Sequence, residues 1–207
     1  MKLAKNKILE QHDLVEERSK YSISKRIVDK ADIFFFSLPG GMDISEEEYT
    51  EEKLYYVLKG KLSILGKEID KNESLVVPEN TLFGIEALED SIFLEIAQED
   101  KMKNIVKEKV FKLKDQIEVV EDSISSVDII SNENIKLALM AFDKGQSLPT
   151  HSAPGNVLVL ALEGKAEVTL NGKTSIIEEG EQISFETGAS HSVKALEKYK
   201  MGLLIIK

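Results

Sequence analysis

The sequence predicts an all-β chain made of two copies of one unit, and three observations carry that expectation. The first is an internal repeat. Residues 54–61, L-Y-Y-V-L-K-G-K, match residues 158–165, L-V-L-A-L-E-G-K. An S-I-S triplet precedes each copy (residues 22–24 and 123–125), an A-L-E triplet follows each (87–89 and 195–197), and Gly41 falls where Gly145 falls. The second is polar–apolar alternation over residues 165–170, closed by Asn171-Gly172, a strong two-residue hairpin signal. The third is a set of short runs that are apolar at every position, such as residues 157–162 and 33–36. Runs of this kind suit strands buried on both faces.

In chain order, residues 8–18 carry a weak helical signal, with Ile8 and Val15 two turns apart on one face. The run Ile33-Phe34-Phe35-Phe36 reads as a strand, Pro39-Gly40-Gly41 as a turn and residues 54–58 as a second double-sided strand. Residues 67–73 are polar and fit a hairpin loop ahead of Leu75-Val76-Val77. Residues 101–114 hold six lysines and read as a solvated connector into the second copy. There, His191, Val193 and Ala195 share one strand face, and residues 203–206 close the unit. Two domains follow, residues 1–98 and 99–207, each of an ordinary domain size.

Composition narrows the function. A formal net charge of −10 and a pI near 5.0 repel phosphate backbones and anionic headgroups, so neither nucleic acid nor membrane is an expected partner. The chain has no cysteine, which removes disulfides, thiolate metal sites and cysteine nucleophiles together. Its start is rich in Lys and Glu without an apolar core segment, and no apolar run is long enough to span a bilayer. A cytoplasmic protein is expected.

Gly145, His151, Gly164, Gly180, Gly188 and His191 fall on a spacing that resembles the two-part signature of the cupins. The resemblance implies two tandem jelly-roll (cupin) β-barrels, packed as a pseudo-twofold pair, with a homodimer of the whole chain also possible. The wording H-S-A-P-G around His151 looks like a group of small stand-alone bacterial cupins. In the family, three histidines and a glutamate hold one divalent metal inside the barrel. Here the second histidine position is Ala153, the glutamate position is Val157, and the proline of the second block is Glu186. In the first copy Glu47, Tyr49, Lys53 and Phe83 stand at the four ligand positions, and only Pro78 keeps a second-block residue. That barrel is therefore expected to be degenerate and supportive, plugged by Phe83.

The candidate ligand pocket is His151, Ala153, Val157, Phe185 and His191, in the second barrel. His151 and His191 are also the candidate ligands for one divalent metal (Fe, Mn, Ni or Zn), although structural zinc needs four protein ligands and catalytic zinc three. A third would have to be Glu186, which sits at a turn that aims it outward, or solvent. His12 reads as a surface residue, the acidic run at Glu46, Glu47, Glu48, Glu51 and Glu52 as a solvated loop, and at least one of Tyr55 and Tyr56 as packing. Three classes of function stay open. The first is a binder of a small-molecule ligand in the second barrel. The second is a metal-dependent cupin enzyme, an oxygenase or isomerase, built on His151 and His191. The third is a structural or protein-interaction module.

Overall fold

A computed structural model describes residues 2–207. A short strand, β1 (Lys7–Leu9), opens the chain. Nine strands of the first copy follow: β2 (Ile23–Arg26), β3 (Asp32–Leu38), β4 (Asp43–Glu48), β5 (Glu52–Lys59), β6 (Lys61–Ile64), β7 (Lys67–Asp70), β8 (Ser74–Val77), β9 (Leu82–Ala87) and β10 (Ser91–Gln98). Nine more belong to the second: β11 (Ile124–Ser131), β12 (Ile135–Phe142), β13 (Ser147–Ser152), β14 (Asn156–Glu163), β15 (Lys165–Leu170), β16 (Lys173–Glu178), β17 (Gln182–Phe185), β18 (Ser190–Ala195) and β19 (Tyr199–Ile206). Among the described residues every strand pairing is antiparallel, and apart from short helical turns the regular structure is β, as expected.

The repeat is also a repeat of topology. The first copy forms the sheets β2-β3-β10-β5-β8 and β4-β9-β6-β7. The second forms β11-β12-β19-β14-β17, extended by β1, and β13-β18-β15-β16. Strand for strand the orders are the same, and each pair of sheets makes one jelly-roll barrel. One core gathers Tyr55, Val57, Leu62, Ile64, Leu75, Phe83 and Phe93, and the other gathers Phe142, Val157, Val159, Ile183, Phe185 and Tyr199.

The compact units are residues 11–112 and residues 3–10 with 113–207, whereas the repeat implied a division after residue 98. Two segments account for the difference. Residues 101–112 dock on the first barrel: Phe111 bridges Ser74 with two backbone hydrogen bonds, and Glu52 takes both the Met102 amide and the Lys107 ammonium. They therefore cover the free edge of β8. Strand β1 does the same for β17, pairing Lys7 with Ser184 and Leu9 with Gln182. Both covers answer one problem, since a bare edge strand is a template for aggregation. The helix weakly signalled over residues 8–18 shrinks to one turn, Gln11–Leu14, because Ile8 is spent on this strand.

One other expectation is corrected. Residues 67–73 are not a hairpin loop; Lys67–Asp70 is β7, with Ile69 buried, and the turn lies earlier at Leu65-Gly66, both left-handed. Residues 203–206, expected to close the second unit, belong to its last strand, β19, which lies between β14 and β12. Among the described residues no helix is long and apolar enough to cross a membrane.

Candidate functional site

In the second barrel, β13 and β18 pair with a bulge between Leu148 and His151, which brings His151 directly opposite His191. Their ring centroids lie 4.2 Å apart, and Phe185 packs 4.4 Å from the His191 ring. His151 Nδ1 is 2.8 Å from Pro149 O and His191 Nδ1 is 2.9 Å from Ala189 O. A carbonyl only accepts, so each Nδ1 carries a proton. His151 is exposed and His191 buried.

The rest of the expected pocket is not an open wall. Val157 and Phe185 are closed off from water inside the barrel core, and Ala153 packs half-buried against it. Glu186 turns outward to Lys5, 3.6 Å away, and to the Asn6 side chain at 3.4 Å. Among the described residues no three His, Cys, Asp or Glu side chains are grouped to hold a metal ion. Two imidazoles alone do not make up the ligand set of a tight site, so the residues present do not fit a resident metal.

Burial pushes the His191 imidazole below the ordinary histidine range; the Ala189 carbonyl opposes that and His151 adds to it. The folded state therefore refuses a proton that the unfolded chain takes up as pH falls through about 6.5. Stability is unaffected by this group above that value and is lost below it. His191→Asn is expected to flatten the fall in urea midpoint between about pH 7.5 and about pH 5.5; an unchanged slope would mean that His191 is not the group responsible.

The first barrel holds a cavity of about 350 Å³. Register explains its lining. Strands β3, β10 and β5 lie side by side, so residues paired across them form rows on one face. The inner rows are Asp32, Ala97, Lys53; then Phe34, Glu95, Tyr55; then Phe36, Phe93, Val57. Opposite them stand Ile44, Tyr49, Phe83 and Ile85. By repeat alignment and register, the second barrel puts Val157, Leu203 and Val159 where the first has Lys53, Glu95 and Tyr55. Its interior is apolar there and the first barrel's is charged.

That charge is organised. Lys53 Nζ lies 3.3 Å from Glu95 Oε1, with both side chains under a tenth exposed. The Tyr55 hydroxyl donates to Glu95 Oε2 at 2.8 Å, and the Lys53 ammonium sits 3.2 Å from the Tyr49 ring centroid. The Tyr49 hydroxyl donates to Glu47 at 2.6 Å. Burial first, then Glu95, pushes the Tyr55 phenol well up; burial, then Glu47, does the same for Tyr49. Both stay protonated donors at neutral pH. Phe83 does not plug the barrel as expected: it stands against Tyr49 and Tyr55, 5.7 and 5.9 Å away, as one wall. It pairs in register with Glu47, as His191 does with His151.

The ligand positions of the first copy were legible as Glu47, Tyr49, Lys53 and Phe83, but Glu95 was missed. A signal existed: Glu95 is a charged residue inside a run otherwise apolar on both faces, Ile92 to Ala97, and burial of that kind demands a partner.

Comparison with known proteins agrees with this architecture. A family model described as a cupin domain matches residues 138–207. A cupin 2 conserved barrel domain protein from Leptotrichia buccalis is 28% identical over 100% of this chain and 99% of its own, with a TM-score of 0.83. A conserved protein of unknown function from Streptococcus pyogenes is 30% identical over 52% of this chain and 95% of its own, with a TM-score of 0.50. A salicylate 1,2-dioxygenase from Pseudaminobacter salicylatoxidans shares the fold at 10% identity, over 84% of this chain and 70% of its own, with a TM-score of 0.57. Comparison with curated proteins gives no match.

Proposed function

The chain belongs to the cupin superfamily, and from that premise we propose that it binds a small organic molecule inside its first barrel. The observation that carries this reading is the cavity of about 350 Å³, walled by aromatic rings and floored by the Lys53–Glu95–Tyr55 network. Ligand sites span roughly 300–1,000 Å³ and are mostly apolar with a few placed polar groups, which describes this space. The sequence motif points to the second barrel instead. There the residues between the histidines and the core are already packed, and the metal-enzyme alternative lacks a third donor.

The test is ligand-dependent stabilisation. A fragment library is screened by thermal shift against the full chain and against Ala97→Leu, which places a larger side chain in the inner row beside Lys53. Hits are expected to stabilise the parent by about 2–3 kcal/mol at a hundredfold excess over Kd, and to lose most of that effect in the variant. Hits that stabilise both equally, with the variant folded by circular dichroism, would place binding elsewhere.

A further inference from the structure

Resting on the reading above, we propose that the first-barrel cavity takes an organic monocation, an alkyl- or arylammonium ion. Its charge faces Glu51 and its apolar body lies against the aromatic wall. The charges that line the cavity are Asp32, Glu51, Lys53 and Glu95. Lys53 and Glu95 neutralise one another at 3.3 Å, and Asp32 is paired with Arg26 at 2.8 Å. Glu51, half-buried, has no ion-pair partner among the described residues. One negative charge is left over, and a ligand with one positive charge balances it.

The walls favour the same ligand. Phe34, Phe36, Tyr49 and Phe83 all line the space, and the negative face of an aromatic ring attracts a cation, more strongly when water is excluded. The cavity already shows this preference, because the Tyr49 ring takes the Lys53 ammonium on its face. Strand β4, which supplies Ile44 and Ser45 to the lining, also exposes Asp43, Glu46, Glu47 and Glu48. An acidic approach concentrates cations and repels anions. An anionic ligand would have to cross that field and then draw Lys53 away from Glu95.

The experiment titrates the full chain and Glu51→Gln with three probes of similar shape: benzyltrimethylammonium, benzyl alcohol and phenylacetate. Calorimetry is expected to show the ammonium binding about tenfold more tightly than the alcohol, and phenylacetate binding least. Glu51→Gln is expected to weaken the ammonium about fivefold and to leave the alcohol unchanged; Glu51 is partly exposed, so the variant keeps the fold. Phenylacetate or the alcohol binding as tightly as the ammonium would overturn the charge assignment while leaving the cavity a small-molecule site. An ammonium affinity indifferent to Glu51→Gln, or no binding by any of the three, would overturn the assignment too. A fragment screen without hits, or with hits that stabilise Ala97→Leu as much as the parent, would also remove the reading it rests on.

Discussion

Lys53→Met is expected to destabilise the protein by about 3 kcal/mol. The reason lies in what remains. Lys53 and Glu95 are each under a tenth exposed, and Met preserves most of the length and apolar stem of Lys while removing the charge. The Glu95 carboxylate then keeps only the Tyr55 hydroxyl as its short partner. Removing one member of a buried pair leaves the other desolvated without compensation, which costs more than the pair itself contributes. The double variant Lys53→Met, Glu95→Gln separates these quantities. The amide oxygen introduced by Glu95→Gln still accepts from Tyr55 but carries no charge, so most of the loss is expected to return, leaving a deficit below about 1.5 kcal/mol. Urea denaturation measures both. Equal losses in the single and double variants would show that Lys53 acts through packing rather than by neutralising Glu95.

Gly164→Ala is expected to cost about 3 kcal/mol or more, and Gly60→Ala nearly as much. These are the matched glycines of the repeat. Each stands where the chain crosses from one sheet of its barrel to the other, between β14 and β15 or between β5 and β6, with φ of +74° and +75°. A Cβ at Gly164 would come within 1.9 Å of the Lys198 carbonyl oxygen, and one at Gly60 within 2.4 Å of the Asp90 carbonyl oxygen. Neither neighbour is a flexible side-chain end, so relief requires the backbone to move. Gly145 is the control. Its φ is +85° but nothing lies within 4 Å of the added carbon, so Gly145→Ala is expected to cost about 1 kcal/mol, the left-handed conformation alone. If the clashes dominate, unfolding midpoints rise in the order Gly164, Gly60, Gly145, with Gly164→Ala lowest. Equal losses at all three would assign the whole effect to φ.

These glycines also show why the fold was legible. A corner that admits no Cβ must be glycine in both copies, so Gly60 and Gly164 survive where other positions diverge, and the repeat can be counted from them. The Asn171-Gly172 hairpin was readable because both residues suit left-handed backbone; its counterpart Leu65-Gly66 was not, because leucine gives no such signal. Strand β1 was hidden for a different reason: its partner β17 lies at the far end of the sequence, and three residues have no period to detect.

The candidate site divided along similar lines. The spacing that resembles a metal motif placed His151 and His191 opposite one another, because motif spacing records strand register. The polar floor of the first barrel has no such record. Strands β5 and β10 are buried on both faces, so alternation does not say which way Lys53 or Glu95 points. Only the pairing of Glu95 with Tyr55 and of Ala97 with Lys53 puts them on one inner surface. Counting missing histidines therefore says nothing of this floor, where Lys53, at one ligand position, pairs with Glu95 and sits on the face of the Tyr49 ring.

Binding in the first barrel is tested most sharply by methyl NMR of the full chain, titrated with a mixture of small aromatic amines, alcohols and acids. A ligand in that cavity is expected to shift the Ile44, Ile85 and Ala97 methyl signals, which report its walls, and to leave Ala153 and Val157 unmoved. Shifts confined to Ala153, Val157 and the rings of His151 and His191, with the first barrel silent, would contradict it.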